Sequence, residues 1–193
     1  MIVLANSVSG VGMPAAVAAL RAGLPALDSV EAGIRPVEAD PTIDSVGVGG
    51  WPNLLGQVEL DASIMDGRTL HTGAVAALQG FHHPISVARQ VMARLPHVLL
   101  AGQGAARFAA EIGAEAGEIL TEEARSRWEA WLVDHVPADT RARWPAVPLA
   151  EWARLTADPE TAGGTTTFLV RDAAGDLATG VSTCGWAFNP PVT

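Results

Sequence analysis

The chain has 193 residues, one cysteine and a formal net charge of −9. That length suits one domain with a sizeable core, and the negative charge argues against nucleic acid or an anionic membrane surface as a partner. A lone cysteine, Cys184, excludes an internal disulfide; every basic residue is Arg, so lysine is removed as a nucleophile. No apolar run has membrane-spanning length. Residues 1–7 lack the basic flank and the core length of a signal peptide, and the cytoplasm is the expected location.

In chain order, residues 2–5 read as a buried first strand and 6–12 as a small-residue loop. Residues 13–22 are Ala-rich and helical, with Pro14 suited to the first turn and Gly23 to the end. A second helix is expected over 26–35, stopped by Pro36. The glycine-rich run 44–53 reads as a loop or twisted strand where backbone comes close to something. Residues 57–65 alternate into a strand that ends at the turn signal Asp66-Gly67.

Amphipathic helices are expected over 84–94, 103–112 and 121–134, the last with Thr121 as cap and Glu122 and Glu123 in its first turn. Residues 136–164 read as a surface excursion. A hairpin follows, with strands 165–171 and 177–183 around a turn at Asp172–Asp176. Helices precede the clearest strands, so the expected class is α+β or layered α/β.

Several residues invite chemistry. Gly10-Val11-Gly12-Met13-Pro14-Ala15 fits a dinucleotide-binding G-x-G-x-x-A, yet no alternation of strands and helices follows it. His71, His82 and His83 lack partners at ligand spacing, so they read as surface or capping histidines rather than a metal site. Cys184 reads as a small buried hydrophobe. Asp61 and Asp66, five residues apart on a strand, point to opposite faces. Trp128 and Trp131 read as core or interface.

The informative stretch is Gly163-Gly164-Thr165-Thr166-Thr167, followed eighteen positions after Thr165 by Thr183 within Ser182-Thr183-Cys184-Gly185. This arrangement resembles the autoprocessing site of the asparaginase-like N-terminal-nucleophile hydrolases: glycosylasparaginases, plant-type asparaginases and isoaspartyl peptidases. Upstream segments resemble the same family in order. They are Ala26-Leu27-Asp28-Ser29-Val30-Glu31-Ala32-Gly33, Asp44-Ser45-Val46-Gly47, Leu60-Asp61-Ala62-Ser63-Ile64-Met65-Asp66-Gly67 and Gly73-Ala74-Val75-Ala76. The likeness runs from about residue 26 to 186.

The resemblance implies a four-layer αββα sandwich formed by a single domain over 1–193. Residues 1–164 correspond to the α-subunit part and 165–193 to the start of the β-subunit part. It implies cleavage of the Gly164–Thr165 bond, with Thr165 becoming N-terminus and nucleophile, and Thr183 bonding its oxygen or amine. Ser45 is a further hydroxyl candidate from its place in Asp-Ser-Val-Gly. No cofactor or metal is implied. The implied substrate is a small amino-acid amide, a glycosylated asparagine or an isoaspartyl peptide, and a homodimer is compatible with the family.

The chemistry has a physical rationale. A threonine hydroxyl needs a base beside it to be a good nucleophile. The α-amine of the same residue, with a pKa of about 7.7–8.0, supplies one at neutral pH, but only after the preceding bond is broken. Gly163 and Gly164 permit backbone angles closed to other residues and leave the carbonyl uncrowded.

The sequence departs from the family after Gly185. Relatives carry a Pro-Gly-Arg-x-Gly-Asp-Ser-Pro-like stretch, whose Arg and Asp grip the substrate, and later a Thr-Gly pair. Here the chain reads Trp186-Ala187-Phe188-Asn189-Pro190-Pro191-Val192-Thr193. The expectation is a C-terminally truncated member, cleaved slowly or not at all and without turnover. The alternative is a non-catalytic remnant acting as a folded or partner-associated module.

Overall fold

The computed structural model describes residues 1–156 and 164–191. Strands β1 (Ile2–Ala5), β2 (Leu60–Asp66), β3 (Thr72–Leu78), β4 (Leu99–Ala101), β5 (Thr166–Arg171) and β6 (Leu177–Thr183) form a mixed sheet in the order β1-β5-β6-β2-β3-β4. All neighbours are antiparallel except β3 and β4. That parallel pair is joined through α3 (Pro84–Arg94), as a parallel connection requires a crossover. Among the described residues, no helix is long and apolar enough to cross a membrane.

The helices α1 (Met13–Arg21), α2 (Ala26–Ala39) and α3 supply the cover for one face of the sheet. Along α2, Val30, Ile34 and Val37 recur at helical spacing and are fully buried. Two glycines let α2 lie close to the strands. A Cβ on Gly33 would stand 2.8 Å from the Phe168 ring, and one on Gly180 would stand 2.6 Å from Val30. The expected stop at Pro36 is a correction, because α2 continues to Ala39. Proline deprives the Ala32 carbonyl of its helical donor. Both residues lie on the half-exposed side of the helix, while burial of Val37 and Glu38 beyond them holds the next turn in place.

The opposite face is different. Its residues include Ile2, Leu4, Leu169 and Leu177, all exposed, and Thr179, Val181 and Thr183, half-buried. None of these seven side chains is fully buried.

A second, smaller core gathers around Leu54 and Phe188, with Trp51, Trp128 and Trp131 against it. After β4 come α4 (Gly102–Glu111) and α5 (Glu122–His135); Trp128 and Trp131 come from α5, whose Thr121 cap accepts from the Ala124 N–H at 3.3 Å. The indole N–H groups of Trp128 and Trp144 both donate to the Leu54 carbonyl, at 3.2 and 3.1 Å. This cluster pins the loop that carries Ser45.

The G-x-G-x-x-A segment has a packing role. Gly12 faces α2, and a Cβ there would stand 1.8 Å from the Gly33 carbonyl oxygen.

Candidate active site

The hairpin forms between the expected strands, the first starting at Thr166, with Thr166 opposite Ser182 and Arg171 opposite Leu177. Continued by one residue, this register sets Thr165 across from Thr183. The hairpin turn is tied to the helical layer by Asp172. Its carboxylate accepts from the Ala26 N–H that starts α2, at 3.1 Å, and from Ala174 and Asp176 N–H, both at 3.0 Å. These backbone donors, Ala26 first, hold the Asp172 carboxyl below the usual carboxylate range.

Strand alternation separates Ser182 from Thr183. Ser182 is buried toward the helices, whereas Thr183 stands on the opposite face, across from Asp61. Asp61 and Asp66 fall on opposite faces of β2. Asp61 accepts from Ala77 N–H at 2.9 Å, while Asp66 closes the β2–β3 turn by accepting from Arg68 N–H at 2.9 Å.

Thr183 Oγ1 lies 3.1 Å from the Gly164 carbonyl oxygen and 3.4 Å from the Ser45 carbonyl oxygen. It also accepts from the Gly185 N–H at 3.1 Å. A hydroxyl has one proton to give, and the shorter contact directs it at Gly164. The carbonyl before Thr165 therefore faces a hydroxyl donor.

Ser45 closes the other side. It is 6% exposed, and its carbonyl accepts from Cys184 N–H at 3.0 Å. Its loop is fixed at Gly47 (φ +65°), where the backbone passes so close to Glu38 that a Cβ would meet the Glu38 carbonyl at 2.0 Å. Val48 N–H donates to that same carbonyl at 2.9 Å. Gly164 packs directly on Ser45: a Cβ on Gly164 would stand 1.9 Å from Ser45 Cβ and 2.0 Å from its Oγ. Only glycine fits there. Gly163 and Thr193 lie outside the described residues.

Cys184 is 2% exposed, and burial pushes its thiol up to about 12, so it is no thiolate at neutral pH. His83 sits at the N-cap of α3 with φ +54° and faces the buried Glu38 carboxyl, Nδ1 to Oε2 being 3.5 Å. Burial raises the Glu38 carboxyl above its ordinary range, although Ile85 N–H donates to it at 3.0 Å. Among the described residues, no three His, Cys, Asp or Glu side chains stand together as metal ligands.

Asn6 and Ser9, the cap and a residue of the 3₁₀ helix (Ser7–Gly12) that follows β1 where a loop was expected, also meet the start of β5, and sequence reasoning did not find them. Asn6 Nδ2 donates to the Thr165 carbonyl, and Ser9 Oγ lies 2.7 Å from Thr166 Oγ1. Nothing local in a run of small residues signals a contact with a strand 159 positions away. The pairing of β1 with β5 brings them there.

At the start of a hairpin in a helix-backed sheet, a threonine hydroxyl thus meets the backbone carbonyl of a glycine that packs against a buried serine. The chain belongs to the asparaginase family: a sequence model of that family, described as asparaginase, matches residues 10–191. It is similar to an N(4)-(β-N-acetylglucosaminyl)-L-asparaginase of Elizabethkingia miricola, 49% identical over 113 residues, which is 58% of this chain and 33% of that protein. A plant-type L-asparaginase of Thermococcus kodakarensis is 48% identical over 104 residues, covering 54% of this chain and 34% of the relative. An isoaspartyl peptidase/L-asparaginase of Homo sapiens is 46% identical over 113 residues, covering 57% and 36%. The matched stretch thus spans about a third of each relative's length.

Proposed function

We propose that this chain is of the threonine amidohydrolase type: it cuts its own Gly164–Thr165 bond slowly and exposes Thr165 as an N-terminal nucleophile, with turnover not expected where the Arg and Asp of the family's stretch after Gly185 are absent. The observation that carries this reading is the Thr183 hydroxyl on the Gly164 carbonyl. Thr165 Oγ attacks the Gly164 carbonyl carbon, and the developing oxyanion is met by the Thr183 proton. The C–N bond breaks, the proton lost from Thr165 Oγ passes to the nitrogen, which leaves as the Thr165 α-amine, and an ester joins Gly164 to Thr165 Oγ. Water hydrolyses the ester to a Gly164 carboxylate and a free Thr165 hydroxyl.

In turnover the α-amine takes the proton from Thr165 Oγ as the oxygen attacks an amide carbonyl. The α-ammonium returns the proton to the substrate's amide nitrogen, which leaves as ammonia or an amine, an acyl-enzyme remains, and water releases the acid. The names of the relatives support side-chain amides of asparagine, glycosylated asparagine or isoaspartyl bonds as the substrate class. Ser45, packed on Gly164, keeps the carbonyl oriented before the cut and leaves a hydroxyl beside the new amine after it. The face carrying Thr183 suits a second helix-backed sheet stacked on it, which makes four layers.

The test follows the intact mass of the purified chain during prolonged incubation at pH 7.5. Slow appearance of a piece beginning at Thr165, abolished by Thr165→Ala, is the expected result. The same samples are assayed for ammonia from asparagine and for aspartate from an isoaspartyl dipeptide. A wild-type chain that never yields a Thr165 terminus and hydrolyses neither substrate overturns the proposal and favours the non-catalytic alternative.

A further inference from the structure

Thr165 lies just outside the β5–β6 ladder, whose register begins at Thr166. Something other than the ladder must hold it, and the segment after β1 supplies the contacts. Because Ala5 sits opposite Phe168, the chain leaving β1 runs directly past the start of β5. Asn6 Nδ2 donates to the Thr165 carbonyl. Asn6 Oδ1 accepts from Thr167 N–H at 3.3 Å and from Ser9 Oγ at 2.6 Å. Ser9 is fully buried, and its oxygen also stands 2.7 Å from Thr166 Oγ1 and 3.2 Å from Thr167 N.

The Thr167 N–H can only donate and the Thr165 carbonyl can only accept, which sets how the Asn6 amide is turned. The Ser9 hydroxyl has one proton, with the Thr167 carbonyl at 3.2 Å and Asn6 Oδ1 at 2.6 Å as its acceptors, and the shorter contact takes it to Asn6. The Thr166 hydroxyl and the Thr167 N–H then donate to the Ser9 oxygen. Two donors converge on Asn6 Oδ1, so the amide cannot be flipped, and Nδ2 must face the Thr165 carbonyl. Buried Ser9 and the Thr167 N–H together thereby set the direction in which Asn6 donates.

We infer that Asn6, oriented by Ser9, is a positioning residue that fixes the Thr165 peptide plane for attack before the cut and anchors the new terminus after it. This rests on the reading of Thr165 as the nucleophile. Attack requires the reacting atoms to be held about 3–3.5 Å apart with the orbitals aligned, and a chain terminus frays unless it is tied down. A bond to the Thr165 carbonyl constrains the direction of the side chain and the nitrogen on the same Cα. Asn6 is itself exposed, so its substitution leaves the core intact.

The test uses the full chain with Asn6→Ala, Asn6→Asp and, as control, Thr179→Val. The control removes another side-chain bond to β5, the 3.0 Å contact from Thr179 Oγ1 to the Phe168 carbonyl. Release of the Thr165-terminal piece is timed by intact mass between pH 7.5 and 5.5, with circular dichroism confirming that each variant is folded. At pH 7.5 both Asn6 variants are expected to cut about tenfold to hundredfold more slowly than wild type, while Thr179→Val cuts at the wild-type rate. The introduced carboxyl donates only when protonated, so the ratio of Asn6→Asp to Asn6→Ala rates rises as pH falls. A purely structural role does not produce that rise. Asn6 variants cutting like wild type, an equal loss in Thr179→Val, or a flat rate ratio overturn the inference. A wild-type chain that is never cut instead overturns the nucleophile reading itself.

Discussion

Thr183 Oγ1 stands 3.1 Å from the Gly164 carbonyl oxygen, nearer than the Ser45 carbonyl oxygen at 3.4 Å, and receives the Gly185 N–H at 3.1 Å. Thr183→Val removes the donor while keeping the shape of the side chain. Self-cleavage is expected to slow about 10²–10³-fold, as for loss of one oxyanion donor, with Thr183→Ser retaining most of the rate. Timed intact-mass measurement decides; a Thr183→Val chain cut as fast as wild type would remove Thr183 from the chemistry.

Gly164→Ala places a Cβ 1.9 Å from Ser45 Cβ. One of the two segments must move, at a cost of about 1–3 kcal/mol typical of overpacking. The expected outcome is a lower urea midpoint and no detectable cut. Gly164→Ala combined with Ser45→Gly removes the opposing carbon and should regain stability relative to Gly164→Ala alone. Strict additivity of the two changes in a double-mutant cycle contradicts direct contact.

Glu38 produces a pH dependence of definite sign. Burial raises its folded pKa above the unfolded value, so the folded chain binds the proton more tightly. Stability from this group is complete below the unfolded pKa and is lost as pH rises through the folded one. Glu38→Gln keeps a carbonyl for the Ile85 N–H and removes the charge. Its stability relative to wild type should therefore rise with pH. Urea midpoints of both chains at several pH values above the ordinary glutamate range test this, and parallel curves refute it.

Asp172 has the opposite sign. Its folded pKa is depressed by N–H donors from Ala26, Asp176, Ala174 and Gly175. Its contribution is present above the unfolded aspartate pKa and is lost as pH falls through the folded one. Asp172→Ala leaves the Ala26 N–H and the hairpin turn without their acceptor. A fall in Tm of about 2–4 °C is expected for a chain of this size, measured by thermal circular dichroism at neutral pH. The difference from wild type narrows in acid.

Local chemistry and order along the chain made much of this protein legible in the sequence. The Asp172–Asp176 turn between two β-favouring runs specified the hairpin, and the strand pairing supplied its register. Thr121 with two following glutamates specified the start of α5. Those signals act between residues a few positions apart, which is why they survive in a one-dimensional reading. Pro36 was misleading, because propensity marks it as a stop while tertiary burial of Val37 and Glu38 carries the helix past it. The family motifs singled out Gly164, Thr165, Thr183 and Ser45 as one group, but not what each atom touches. That the Thr183 proton meets the Gly164 carbonyl, that Gly164 must be glycine because Ser45 lies against it, and that Asn6 and Ser9 hold the start of β5 were decided only by the tertiary structure. Each depends on strands and loops far apart in sequence meeting at distances near 3 Å, and no local periodicity carries that information.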